Sequence, residues 1–317
     1  MLTAFSLLAV SGMLVGVMKG SVEISPAEVW QILFVGDVGT HGQILTNIRL
    51  PRIIVAALVG INLSLSGAIL QAVMKNPLAD PHIIGISSGA GLSGIFVMLI
   101  YPEAASFVTP VAFLGAMGAA VLIYVLAWKN GIRPVRIILA GVAVSAFLGA
   151  GISALMIFYS DRVHGALMWM IGGLSARSWP HVEIIYPYTI LGAVLAFLGA
   201  RHINVLQLGD ETAKGLGLNV ERVRLILTAV AALLAASAVS VAGLLGFVGL
   251  IVPHGARLLL GSDYRFLLPG AALLGAATVT FCDTFARTAF SPAELPVGII
   301  MAVLGAPFFL FLLRREL

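Results

Sequence analysis

Few residues in this sequence are of a type that does chemistry, and their spacing decides most of them against it. Cys282 is the only cysteine and stands in an apolar run. Neither a disulfide framework nor a cysteine metal site can form, and a small buried hydrophobe is the reading its surroundings favour. His254, in Val252-Pro253-His254, lacks a second ligand and is expected to shape a helix end beside Pro253. Met168-Trp169-Met170 could face a haem, but reads better as a packed interfacial Met/aromatic patch. No lysine follows a glycine anywhere, so there is no Gly-x-x-x-x-Gly-Lys-Ser/Thr loop to cradle and hydrolyse a nucleoside triphosphate. What remains is charge at particular places. Asp283, Arg287 and Glu294 gather near one end of the last two apolar runs, and Arg49 and Arg52 flank Leu50-Pro51. The polar stretch 201–224, RHINVLQLGDETAKGLGLNVERVR, mixes Leu, Val and Ala among its charges, as a surface that docks a partner does. It is expected to form two short helices broken at Gly215–Gly217.

The elements that hold these residues are set by composition. Of 317 residues, 60% are hydrophobic and 10% charged, where a soluble domain carries about 25% charged. Runs free of Asp, Glu, Lys and Arg cover 2–18, 53–73, 82–102, 104–128, 137–160, 184–200, 225–256, 266–282 and 295–313. Most approach the roughly 20 residues a helix needs to cross the hydrocarbon core. The run 225–256 is too long for one crossing and contains Gly243, Gly246, Gly249 and Pro253, so it divides near Gly243–Gly246. Ten helices result, in one domain over 1–317. The stretch Leu2–Met18 lacks a basic leader and a small-residue cleavage site, so a retained helix is expected there. Residues 166–176 are too few to span and predict an amphipathic or re-entrant helix. Small residues at Gly141, Ser145 and Gly149, and at Ala90 and Gly94, predict close helix packing.

Topology follows from the cations. The basic residues sit singly in loops, which is a membrane pattern and not a nucleic-acid one. With an even number of helices, twelve Lys and Arg fall on the side of the termini and six on the other: Lys19, Arg49, Arg52, Arg162, Arg177 and Arg287. Both termini are therefore expected to be cytoplasmic, with Glu103 outside.

Several strings, in order along essentially the whole chain, resemble the FecCD-type permeases of ABC importers for iron(III)-siderophores, haem and vitamin B12. They are Arg49-Leu50-Pro51-Arg52; Asn76-Pro77-Leu78-Ala79-Asp80-Pro81 followed by Ile84-Gly85; Leu139-Ala140-Gly141; Leu208-Gly209-Asp210 with Leu216-Gly217; Gly246-Phe247-Val248-Gly249-Leu250-Ile251-Val252-Pro253-His254; and Glu294-Leu295-Pro296-Val297-Gly298 with Gly305-Ala306-Pro307. The resemblance implies an all-α, polytopic fold of ten transmembrane helices, the type II importer permease fold. It implies that Arg49, Arg52 and Arg287 dock carboxylates of an external substrate-binding protein, periplasmic or lipid-anchored, and that Asn76 and Leu78 form a cytoplasmic gate. Pro134 and Val135 match a second gate segment, where the vitamin B12 importer carries hydroxyl residues and this sequence departs. Leu208, Gly209, Asp210, Ala213, Gly215, Leu216 and Gly217 are implied to engage a cytoplasmic ATPase pair. ATP and Mg would be used by that partner, so the chain is expected to bind no cofactor and to be no enzyme. A second permease copy or a paralogue, and membrane lipid, complete the expected partners. The location implied is the inner membrane.

Two rivals are weighed against this. An ion-coupled carrier acting alone should keep ionisable residues at mid-membrane, and no predicted span holds one at its centre. A membrane enzyme needs a polar catalytic cluster in the spans, and none is present.

Overall fold

The computed structural model describes residues 1–20, 22–36, 39–82, 85–129 and 134–316, apart from the side chains of 313, 315 and 316. Ile84 and Arg133, used above for the resemblance and the cation count, lie outside the described residues, as does the Arg315 side chain. Among the described residues there are only helices: α1 (Leu2–Met18), α2 (Pro26–Phe34), α3 (Thr40–Gln43), α4 (Leu50–Met74), α5 (Ile86–Ile100), α6 (Val108–Ala127), α7 (Pro134–Phe158), α8 (Val163–Ile171), α9 (Trp179–Gln207), α10 (Asp210–Gly215), α11 (Val220–Ala242), α12 (Val248–Leu260), α13 (Tyr264–Thr288) and α14 (Val297–Glu316). A π-helical stretch, Ile44–Arg49, joins α3 to α4 into one 35-residue rod.

Ten of these helices are apolar and long, as the charge-free runs predict. Six are long enough to cross a membrane unaided: the α3–α4 rod, the α6 rod with its lead-in from Pro102, α7, α9, α11 and α13. The other four, α1, α5, α12 and α14, are shorter. The break in 225–256 falls where glycine makes it possible, with Gly243 at φ 75°. The short helix expected over 166–176 is α8, which starts earlier and stops at Gly172.

Packing sorts the long helices into centre and periphery. In α4, 83% of the apolar window is buried; in α7 only 22% is, and Leu139, Phe147 and Phe158 face outward. An outward face of this kind needs lipid or another protein against it. At the centre, three crossings bring backbone against backbone. A β-carbon on Gly60 would lie 2.1 Å from the Gly275 carbonyl oxygen, one on Gly67 1.9 Å from that of Gly249, and one on Gly89 2.3 Å from that of Gly115. Gly85 closes on Gly141 and Ser145 as the small-residue stripe predicts, whereas Gly149 has nothing within 4 Å.

Two half-length helices bend the loops inward. At 1.5 Å per residue, α5 is about 22 Å long and α12 about 20 Å, against a hydrocarbon core of about 30 Å. The described residues before them, 75–82 and 243–247, therefore enter the bundle. Irregular backbone at that depth is tolerated where protein or a water-filled cavity surrounds it.

Candidate functional site

Polar side chains collect at the two ends of the bundle and at one place between them. At the end assigned to the outside, Arg52 donates from Nε and Nη2 to the two carboxylate oxygens of Asp283, each at 2.9 Å, and from Nη1 to Glu294 at 2.8 Å. Arg49 donates to the backbone carbonyls of Val17, Met18 and Val22, and Arg287 to that of Gly16. All three arginines are buried, at 3%, 6% and 6% exposure. Their grouping at one end of the bundle agrees with the sequence reading, and so does the gathering of Asp283, Arg287 and Glu294. Their availability does not. Arg52, forked onto an aspartate, spends its directional donors internally, and Arg49 and Arg287 are buried against backbone carbonyls, so none of the three is presented at the surface in this conformation. Glu294 also accepts from Ser175 at 3.2 Å. Partial burial raises its pKa, but Arg52 outweighs that and holds it below the usual carboxylate range.

At the opposite end, α10 is a short helix between α9 and α11. Gly209 opens it at φ 105° and Gly217 closes the turn after it at φ 83°. Gly215 is helical, so the break expected at Gly215–Gly217 is carried by Gly217 alone. The second short helix does not form separately; residues 220–224 begin α11. Ala213 is fully buried and anchors α10 on the core, while Leu208 and Leu216 are more than half exposed. Asp210 accepts from Lys75 Nζ at 2.7 Å and from Arg224 at 2.8 Å. Burial pushes its carboxyl up, yet those two bonds win and hold it low. Lys75 sits at the left-handed end of α4, one residue before Asn76. Asn76 in turn accepts the Leu78 amide at 2.9 Å and, with Leu78, is half-buried. The residues matched to gate and to coupling are thus joined by one ion pair, which sequence reasoning missed. Pro134 and Val135 form the first turn of α7, Val135 exposed.

Between the ends lies a cavity of about 370 Å³ lined by Asp80, His82, Met170, Leu244 and Phe247. Asp80 is buried and accepts the His82 amide at 2.8 Å. A β-carbon on Gly249 would come within 2.9 Å of its carboxylate. Gly249 is about 16 Å along α12 from Leu260, so Asp80 reaches mid-bundle depth. The reading that no span holds a central ionisable residue concerns the helices; the loop residues 75–82 carry Asp80 in between them, which a search of charge-free runs cannot see. His254 packs edge-on against Phe308, with ring centroids 5.5 Å apart.

Comparison with known proteins agrees with this geometry. Residues 7–315 match the model of the FecCD transport family. The Fe(3+)-citrate import system permease protein YfmE of Bacillus subtilis is 41% identical over 317 residues, covering 100% of this chain and 94% of that one. The cobalamin import system permease protein BtuC of Halobacterium salinarum is 45% identical over 276 residues, 87% of this chain and 74% of the relative. The hemin transport system permease protein HmuU of Yersinia pestis is 41% identical over 281 residues, 86% and 84% of the two chains. A solved inward-facing metal-chelate type ABC transporter superposes with a TM-score of 0.84 at 28% identity, covering 99% of this chain and 98% of that one. With a family match along nearly its whole length, a helix for each predicted span and polar clusters at both ends, the chain belongs to the FecCD transport family.

Proposed function

We infer that this chain is the membrane-spanning permease subunit of an ABC importer carrying an iron(III)-siderophore, haem or cobalamin-type chelate, driven by ATP hydrolysis on a separate subunit. The full-length likeness to import permeases for ferric citrate, haemin and cobalamin carries this reading. It also outweighs the ion-coupled carrier, for which the mid-bundle Asp80 would otherwise speak.

The finer assignments follow as parts of the same proposal. A pair of ATPases docks on α10, where Leu208 and Leu216 offer apolar contact and Glu211 and Lys214 charge. Movement of α10 reaches the gate residues Asn76 and Leu78 through the Asp210–Lys75 pair. An external binding protein caps the opposite end. The buried arginines there hold the rim in shape, and docking reaches them only through it. A second copy or a paralogue completes the path, and the chain lies in the cytoplasmic membrane with both termini inside.

The test is uptake into proteoliposomes. The permease is reconstituted with its ATPase and binding protein, and ferric citrate, a ferric hydroxamate, haem and cobalamin are offered in turn. Accumulation of one of them only with ATP is expected. Uptake by the permease alone on an ion gradient would overturn the reading.

A further inference from the structure

The outer end of the bundle also holds a cavity of about 460 Å³, separate from the one beside Asp80. Its polar lining is Arg177, His181, Ser175, Thr109 and Glu294; Met98, Met168 and Trp169 stand in its apolar wall. The charges here do not balance. Four arginines, Arg49, Arg52, Arg177 and Arg287, share the rim with two carboxylates, Asp283 and Glu294, and both carboxylates are engaged by Arg52. Arg49 and Arg287 spend donors on backbone carbonyls, as described above. Arg177 alone has neither: its one contact is Nη1 with His181 Nε2 at 3.3 Å, and its Nε is buried without a hydrogen-bond partner. His181 cannot neutralise it. An imidazole is neutral or cationic and never an anion. Ser178 lies beside its other nitrogen at 3.2 Å.

A guanidinium in a half-closed cavity, with no carboxylate against it and a buried N–H left over, is short of an anion. The cavity is concave and of a size that holds a small organic solute. Thioether and indole groups supply the rest of its wall. We propose that this cavity is a binding site for a carboxylate-bearing small solute, with Arg177 as the anchor of the carboxylate and Met98, Met168 and Trp169 as the wall for its carbon skeleton. The inference rests on the importer reading and narrows it to anionic chelates of the ferric-citrate kind. Neutral chelates find no partner for Arg177 there.

The test measures binding to the purified permease in nanodiscs of neutral phosphatidylcholine, with no ATPase present, so its outcome is independent of the uptake assay. Citrate, ferric citrate and a neutral ferric hydroxamate are the probes. Saturable binding of the two anions is expected, with Arg177→Gln weakening it about tenfold or more. Arg177→Lys should keep part of the affinity, because charge is retained and the planar fork is lost. Glu183→Gln, an exposed neighbour on α9, should change nothing. Wild-type protein that binds neither anion overturns the proposal even if Arg177→Gln fails to fold, and so does an Arg177→Gln protein that binds them as well as wild type. Binding confined to discs with anionic lipid, or phospholipid that co-purifies with wild type and is lost in Arg177→Gln, makes this a headgroup site instead. Weaker association with the binding protein in Arg177→Gln, without citrate binding, makes it a docking site; either result overturns the solute.

Discussion

The two polar ends of the bundle use the same residue types for opposite purposes. At the end that carries the arginines, Arg52, Asp283 and Arg287 are buried; Arg52 is closed on Asp283, and Arg287 reaches a backbone carbonyl of another helix. At the opposite end, Asp210 stands about one-third exposed between Lys75 and Arg224, on a helix of six residues. A buried ion pair is fragile to the loss of one partner, since the other is left charged in a dry place; an exposed one is worth about 1 kcal/mol or less. The outer cluster therefore behaves as a lock and the inner one as an adjustable tether. That is the arrangement expected if force enters at the inner end and the outer end must keep its shape.

The largest effect tests the lock. Asp283→Ala should cost about 3–5 kcal/mol, because Arg52 keeps only Glu294. Thermal unfolding of the detergent-solubilised permease reads it as a large drop in Tm. The double variant Arg52→Met with Asp283→Leu should recover most of that loss, since no charge is then stranded. If single and double variants melt together, the pair is not a lock.

Next come the glycine crossings that weld the two ends together. Gly60→Val should destabilise by about 1–3 kcal/mol or more, because the new carbons collide with the backbone at Gly275. Gly149→Val, on the stripe visible in the sequence, should be nearly silent because nothing lies within 4 Å of it. Equal Tm losses for the two would remove the distinction between centre and periphery.

These glycines also show what the sequence could and could not tell. Ten helices were legible because a span must be free of charge: eight of the nine such runs became one helix each, and 225–256 became two. Gly60, Gly67 and Gly89 were not singled out, because closeness depends on which helix lies opposite and small residues abound in all of them. The arginines were grouped together at one end, but whether a cation points outward or folds back onto Asp283 is decided by a partner 231 positions away. Asp80 was not singled out, since nothing local announces that residues 75–82 dip into the bundle. The coupling segment was legible as a surface; the Lys75–Asp210 tether was not, for it joins stretches 135 residues apart.

A smaller effect separates the two glycines at the inner end. Gly217 needs φ 83°, where a β-carbon costs about 1–2 kcal/mol, and Gly215 does not. Gly217→Val should lower transport per ATP while the complex still assembles, and Gly215→Ala should leave it unchanged. The same loss in both would mean that bulk, and not the backbone turn, matters to the ATPase.

The smallest expected change in stability tests the tether itself. Asp210→Asn removes the charge that holds Lys75 and Arg224, in a group exposed enough for solvent to screen it. The permease should lose about 1 kcal/mol or less, so its Tm should barely move. Arg224 is buried, which sets the upper end of that range. The sign with pH is fixed by the low Asp210 pKa: the folded form gains stability from the ionised carboxylate above the ordinary aspartate value, and loses it as acid protonates the folded form. At neutral pH the tether is therefore fully made, and salt should loosen it more readily than it loosens the outer lock. Coupling, in contrast to stability, should suffer clearly, because α10 and the loop carrying Asn76 and Leu78 would move independently. The informative measurement is transport per ATP against ionic strength for wild type and Asp210→Asn in the reconstituted importer. Wild type should decline toward the variant as salt rises, and the variant should be flat. Parallel curves would show that the Asp210–Lys75 pair does not carry the motion.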